Sequence, residues 1–253
     1  MRDYPQMIVP TGHVEPVPRR VRGFLGGRVV LDTTSALYVW ESPKYPQFHI
    51  PLADVEPGVL VDEGEDDERP VGRARRHGVR VGDAVRPGAA WVHGGDGELA
   101  GTVRLLWDAL DAWYEEDEQV FVHPRNPYSR VDALRSSRDV RIELDGVVLA
   151  ESSATVMVFE TGLPTRYYFD RSAVAFEHLV PADTVTACPY KGVTSAYWSA
   201  RVGDVLLRDV AWSYDFPTRQ LLPIAGLVAF FNELVDVVVD GVRLERPETP
   251  FSR

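Results

Sequence analysis

One cysteine, Cys188, occurs in 253 residues, which excludes an intramolecular disulfide and any zinc site built from several thiolates. A lone thiol also suits a reducing compartment, and a cytoplasmic location is expected. No apolar run approaches the roughly 20 residues of a membrane span; runs such as Leu227–Phe231 are far shorter. Residues 1–10 lack a basic segment followed by an apolar one, so no secretory signal is expected there. Positive charge is scarce. The formal net charge is −11, which leaves no broad basic surface to neutralise a phosphate backbone, and nucleic acid is not an expected partner. The six histidines form no His-x-x-x-His pair, the Gly-x-x-x-x-Gly-Lys phosphate cradle is missing, and the second half holds no Asp-x-Asp pair for magnesium. Neither a metal nor a cofactor is expected.

What is present is a repeat. The segment RGFLGGRVVLDTTSALYVWES, from Arg22, matches RIELDGVVLAESSATVMVFET, from Arg141. At one constant spacing Glu41 falls on Glu160, Trp40 on Phe159, Phe48 on Tyr167 and Val55 on Val174. After a small gap Val81-Gly82-Asp83 matches Val202-Gly203-Asp204, and Ala90-Trp91 matches Ala211-Trp212. A last block pairs Gly101 with Gly226 and Asp111 with Asp236. The spacing grows along the chain because the second copy carries short insertions, which loops tolerate.

The repeat reads as β structure. Gly26-Gly27, Gly82-Asp83, Asp145-Gly146 and Gly203-Asp204 lie between β-branched, alternating runs, the signal of two-residue hairpins. Thr155–Glu160 alternates as a strand, and Val235–Val239 is followed by an Asp240-Gly241 turn and a further run, Val242–Glu245. Val103–Tyr114 has helix-like apolar spacing, but its counterpart Val228–Val239 is rich in valine. Homologous halves fold alike, so both are predicted as β-hairpins turning near Asp108-Ala109 and Asn232-Glu233. Glu56–His77, with its acidic run over 62–68 followed by Arg69, Arg73, Arg75 and Arg76, is predicted as a surface loop. The expected organisation is a first β domain over residues 1–118, a linker over 119–139 and a second β domain over 140–253. Pro124 and Pro127 exclude a regular helix from the linker, which carries His123, Arg125, Tyr128 and Arg130 and is read as docking on one domain through Tyr128 and ion pairs.

The second half also holds Arg166-Tyr167-Tyr168-Phe169, Cys188-Pro189-Tyr190-Lys191-Gly192, Tyr197-Trp198-Ser199, Ala211-Trp212-Ser213-Tyr214 and Ile224-Ala225-Gly226. With Glu160 and Val235-Asp236-Val237, these residues resemble the domains of unknown function called DUF427, here in a tandem two-copy form. The resemblance spans most of Val140–Leu244. The first half shares only the strand framework and is read as a degenerate copy, with the charged loop around Asp67–Val71 where the second has Cys188–Gly192. The linker residues also resemble those of two-copy members. The family implies a mainly β fold of the Mss4-like, β-tent type and no established activity; a nucleotidyltransferase label is sometimes attached to it.

For chemistry the densest stretch is Thr186–Trp198. Cys188 is either a thiol activated by Lys191 or a small buried hydrophobe. Lys191, Arg166, Arg125 and Arg130 are candidate cations for an anionic ligand. Tyr167, Tyr190, Tyr197, Trp198, Trp212 and Tyr214 are either walls of a ligand pocket or core, with the match to Trp91 favouring core for Trp212, and Tyr128 of the linker is a further ligand-binding candidate. The expected function is binding of a small ligand in one pocket of the second domain. Two alternatives stand beside it: an enzyme using Cys188 or Lys191, such as a transferase, and a partner-binding module.

Overall fold

Turn chemistry sets the strand registers. Gly26-Gly27 and Asp145-Gly146 hold positive φ at both positions, as the hairpin turn matched to strand twist requires. They join Val21–Leu25 to Arg28–Thr33 and Val140–Leu144 to Val147–Ser152. Gly82-Asp83 and Gly203-Asp204 join Gly72–Val81 to Ala84–His93 and Ala196–Val202 to Val205–Ser213. All four hairpins are those predicted from sequence. The computed structural model describes residues 9–249 and 251–252. Most of the stretch read for a secretory signal lies outside the described residues.

The described chain divides between Pro127 and Tyr128 into two units, each with one seven-stranded and one four-stranded antiparallel sheet. In the first unit the large sheet runs Val14–Pro16, Leu37–Val39, Gln47–Pro51, Thr102–Leu105, Ala84–His93, Gly72–Val81, Leu60–Arg69. In the second it runs Val131–Ser136, Thr155–Glu160, Arg166–Phe169, Val228–Phe230, Val205–Ser213, Ala196–Val202, Leu179–Ala182. The orders correspond strand for strand. The same holds for the small sheets, in which Val21–Leu25 and Val140–Leu144 are each flanked by their hairpin partner and by Ala112–Glu115 or Asp236–Val239. The repeat is therefore one of topology, and the chain is mainly β. The stretch 119–139 is shared between the units: Glu118–Val120 edges the small sheet of the first, and Val131–Ser136 edges the large sheet of the second.

Two sequence expectations are corrected. Val103–Tyr114 and Val228–Val239 do contain strands, but not hairpins. Thr102–Leu105 pairs in the large sheet while Ala112–Glu115 pairs in the small one, and a single 3-10 turn, Trp107–Ala109, carries the chain across. Val228–Phe230 and Asp236–Val239 are divided in the same way. The apolar spacing of such a segment reflects two strands feeding one core from different sheets, which mimics a helix in sequence. At this crossing Leu110 closes on Gly23, where an added Cβ would lie 2.5 Å from Leu110 Cδ1 and 2.9 Å from Leu31 Cγ. Gly23→Ala is expected to destabilise the first unit by about 1–2 kcal/mol through overpacking, measured as a lowered urea midpoint at unchanged slope.

The second correction concerns Glu56–His77. Its acidic run is not a loop but half of a long hairpin, Leu60–Arg69 with Gly72–Val81. The register sets carboxylates across from arginines, with Asp62 2.8 Å from Arg75 and Glu63 2.9 Å from Arg76. Like charges on one strand are tolerated because opposite charges face them on the next.

In both units the large sheet buries two faces. The inner face packs on the small sheet through Tyr38, Phe48 and Ile50 in the first unit, and through Tyr167, Phe169 and Phe230 in the second. In the second unit a separate cluster on the outer face includes Tyr168, Tyr197, Trp212 and Tyr214, covered by Leu221 and Ile224 of the 3-10 segment Arg219–Ile224. Because strand neighbours point to opposite sides, Arg166 and Tyr168 share the outer face while Tyr167 and Phe169 face inward.

Candidate functional site

Cys188 and Lys191 sit on a miniature hairpin, Ala187–Cys188 with Gly192–Val193, in which Cys188 opposes Gly192. Gly192 has φ +98°, and a Cβ there would meet Phe216 O at 3.5 Å and Thr218 N at 3.6 Å. Glycine thus permits both the turn and the close approach of 216–218. Thr218 fastens the loop, donating its amide to Lys191 O at 3.1 Å and its hydroxyl to Tyr190 O. Thr194 closes the base of the hairpin through Thr186. These bonds explain why Cys-Pro-Tyr-Lys-Gly is followed closely by threonines.

The hairpin delivers Lys191 onto the outer face of the large sheet. Its side chain is 9% exposed, and Nζ donates to Glu160 Oε2, which the end of strand Thr155–Glu160 holds beneath it. Nζ also lies 3.8 Å from Cys188 Sγ. Burial alone would lower the Lys191 pKa, but Glu160, with Cys188 and Tyr168, more than offsets it and the ammonium is held above its ordinary 10.5. Tyr168 is fully buried, and burial pushes its phenol up to about 12 against the pull of Lys191. Burial also raises Tyr214 well above its ordinary value, helped by Tyr168. Both phenols therefore stay protonated at neutral pH. Trp212 Nε1 donates to the Tyr168 hydroxyl at 3.3 Å, and Thr186 Oγ1 lies 3.1 Å from the Tyr197 hydroxyl.

The other sequence candidates fall in different places. Arg166 is on the same outer face but spends its guanidinium on Glu233, in a bidentate pair at 2.6 and 2.7 Å, and on Asn232 at 3.2 Å. Tyr167 and Trp198 belong to the inner core, where Trp198 meets Phe176 edge-on. Arg125 belongs to the first unit and faces Glu118 at 3.7 Å. Tyr128 is exposed in the second unit, where Arg130 pairs with Asp132 at 2.8 Å. A cavity of about 610 Å³ opens in the second unit beside Arg135, Ser153, Val156 and Leu227. Among the described residues no group of three His, Cys, Asp or Glu side chains is placed to hold a metal ion.

Sequence reasoning named Tyr214 among the pocket aromatics but missed Glu160 and Tyr168 as the groups beside Lys191, and it missed the corresponding face of the first unit altogether. There Glu41, His49, Trp91 and His93 occupy the positions of Glu160, Tyr168, Trp212 and Tyr214. Arg104 pairs in register with His49 and Trp91, as Ala229 does with Tyr168 and Trp212. The signal was present, since the spacings that pair Glu41 with Glu160 and Trp91 with Trp212 also pair these histidines with the two tyrosines.

The sequence model of the domain of unknown function DUF427 matches this chain twice, over residues 13–116 and 132–241. No curated protein matches it.

Proposed function

The chain belongs to the DUF427 family in two tandem copies, and from that premise we propose that it is a small-ligand-binding protein whose second unit takes a compact, polar ligand on the outer face around Lys191. The observation that carries this reading is a buried ammonium–carboxylate pair ringed by Cys188, Tyr168 and Tyr214. A buried ion pair is a poor stabiliser compared with apolar packing, so its position beside a thiol and phenols is better accounted for by recognition than by folding. Glu160 already meets the charge of Lys191. The ligand suited to the face is therefore one with hydroxyl or carbonyl groups rather than a strong anion. The free, half-buried Cys188 accords with a reducing cytoplasm.

The test is a thermal-shift panel of small sugars, polyols, amides and hydroxy acids. At least one class is expected to stabilise the protein, by about 2–3 kcal/mol near 100 Kd. Tyr214→Phe and Cys188→Ala should weaken that effect. A panel in which no compound's effect responds to either substitution would sink the reading.

One observation favours the alternative of a thiol-dependent enzyme, the 3.8 Å approach of the Lys191 ammonium to Cys188 Sγ. If that contact activates the thiol, iodoacetamide should label native Cys188 markedly faster than it labels the Lys191→Met variant. Equal rates would exclude it.

A further inference from the structure

The outer face of the large sheet in the first unit holds more buried hydrogen-bond donors than it can use. Glu41 is its central acceptor: Arg69 makes one long hydrogen bond to it, and two further bases approach without closing. Arg69 Nη2 is 3.3 Å away, Arg104 Nε 3.5 Å and His49 Nε2 3.6 Å. Charge-assisted bonds of this kind close to about 2.7–2.9 Å when made. His49 is fully buried, and neither of its ring nitrogens has a partner within hydrogen-bonding distance among the described residues. Arg104 is 8% exposed, and its Nε and Nη1 are likewise without one, as is Arg69 Nε. Gln47 accepts only from Arg104 Nη2, at 3.3 Å, and Asp67 is engaged by Trp91 Nε1 at 2.8 Å. The His93 ring stands 5.1 Å from that of His49, and Arg69 lies over Trp91 at 4.1 Å.

The second unit provides an internal comparison. On its equivalent face Arg166 closes on Glu233 at 2.6 and 2.7 Å, and Lys191 closes on Glu160. The position of Arg104 is there an alanine, Ala229. The fold thus has no need of a guanidinium at that point. Buried polar groups are almost always paired, and a set of unpaired donors points to an acceptor that the protein does not itself supply.

We propose that this face of the first unit is a binding site for a small oxyanion, a carboxylate or a phosphate group, gripped by Arg69 and Arg104 with His49 and His93 as further donors. The two guanidiniums provide planar, bidentate donor sets, and Glu41 holds them in place when no ligand is bound. Burial keeps both rings neutral against the pull of Glu41, aided by Arg104 and Arg69 at His49 and by His49 and Arg69 at His93, so each carries a single N–H for the ligand.

The experiment is isothermal titration of the full-length protein with sodium phosphate and, separately, sodium acetate, in a chloride buffer at pH 7. One-to-one binding of at least one probe is expected; the two arms distinguish a tetrahedral from a planar anion. Arg104→Gln should weaken binding at least about tenfold, the loss of one charge-assisted contact. Glu41→Gln removes the competing carboxylate and should tighten binding several-fold. It carries the test if Arg104→Gln does not fold. The Cε1–H resonances of His49 and His93 should shift with the bound probe. The proposal is overturned if neither probe binds, if affinity survives Arg104→Gln, or if Glu41→Gln weakens binding.

Discussion

Glu160→Gln is expected to destabilise the second unit by about 3–5 kcal/mol, because it leaves the Lys191 ammonium buried without its counter-charge. The thermal midpoint should fall by at least about 10 °C for a unit of this size. Lys191→Met should cost a similar amount by leaving the carboxylate alone. The double variant should recover most of the loss, since two neutral side chains of similar volume need no compensation. Additive losses in that cycle would show that the two groups do not act as a pair. The pH dependence separates the variants further. In the native protein the Lys191 pKa is raised, so its contribution is complete below the ordinary 10.5 and is lost as pH rises through the higher folded value. In Glu160→Gln burial is left to act and lowers that pKa. The unfolded chain then binds the extra proton, and stability should rise with pH where the native protein is flat.

The opposite sign applies to the first unit. Burial lowers the His93 pKa from 6.5 to about 4, with the neighbouring His49 acting in the same direction, and burial lowers His49 itself. The unfolded state therefore binds more protons than the folded state below pH 6.5. Stability is complete above that value and falls as pH drops toward 4, by about 2–3 kcal/mol for His93. Tryptophan emission is weighted toward this unit, which holds Trp40, Trp91, Trp107 and Trp113, against Trp198 and Trp212 in the other. Urea unfolding followed by emission should show a midpoint markedly lower at pH 4.5 than at pH 7. His93→Gln should flatten that difference. An equal difference in the variant would assign it elsewhere, since carboxylates such as Glu41, held low despite burial by His49 and then Arg104 and Arg69, and Glu233, held low despite burial by Arg166, lose their contribution only as pH falls below the ordinary 4.5.

The proposed ligand face and the proposed oxyanion site lie at the same topological place in the two units. Each has a glutamate at or just past the end of an inner strand, Glu160 or Glu41, and a tryptophan three strands away, Trp212 or Trp91. Around this shared frame the residues differ in chemical kind. Phenols and two closed ion pairs occupy the second unit; imidazoles and open guanidiniums occupy the first. The first copy looks degenerate only when judged by the motif of the second.

Much of this was decided by the sequence alone. Two-residue turns such as Asp145-Gly146, β-branched alternation and the matched blocks are local signals, and local signals survive in a string of letters. They were enough for a mainly β chain, its two copies and its family. The arrangement of the sheets was decided elsewhere. Val103–Tyr114 reads as one amphipathic segment because both of its strands feed a common core, and only the tertiary pairing reveals that they belong to different sheets. The acidic run over 62–68 reads as a solvated loop because the arginines that neutralise it are set opposite by strand register. The site depended most on three dimensions. Tyr167 and Tyr168 are adjacent in sequence, yet the pleat sends one into the core and the other to Lys191. Glu160 lies far from Lys191 along the chain and meets it only when the Cys188 hairpin folds over the sheet. A motif names the residues a fold brings forward, but the pleat and the packing choose which of them share a face and which charges they meet there.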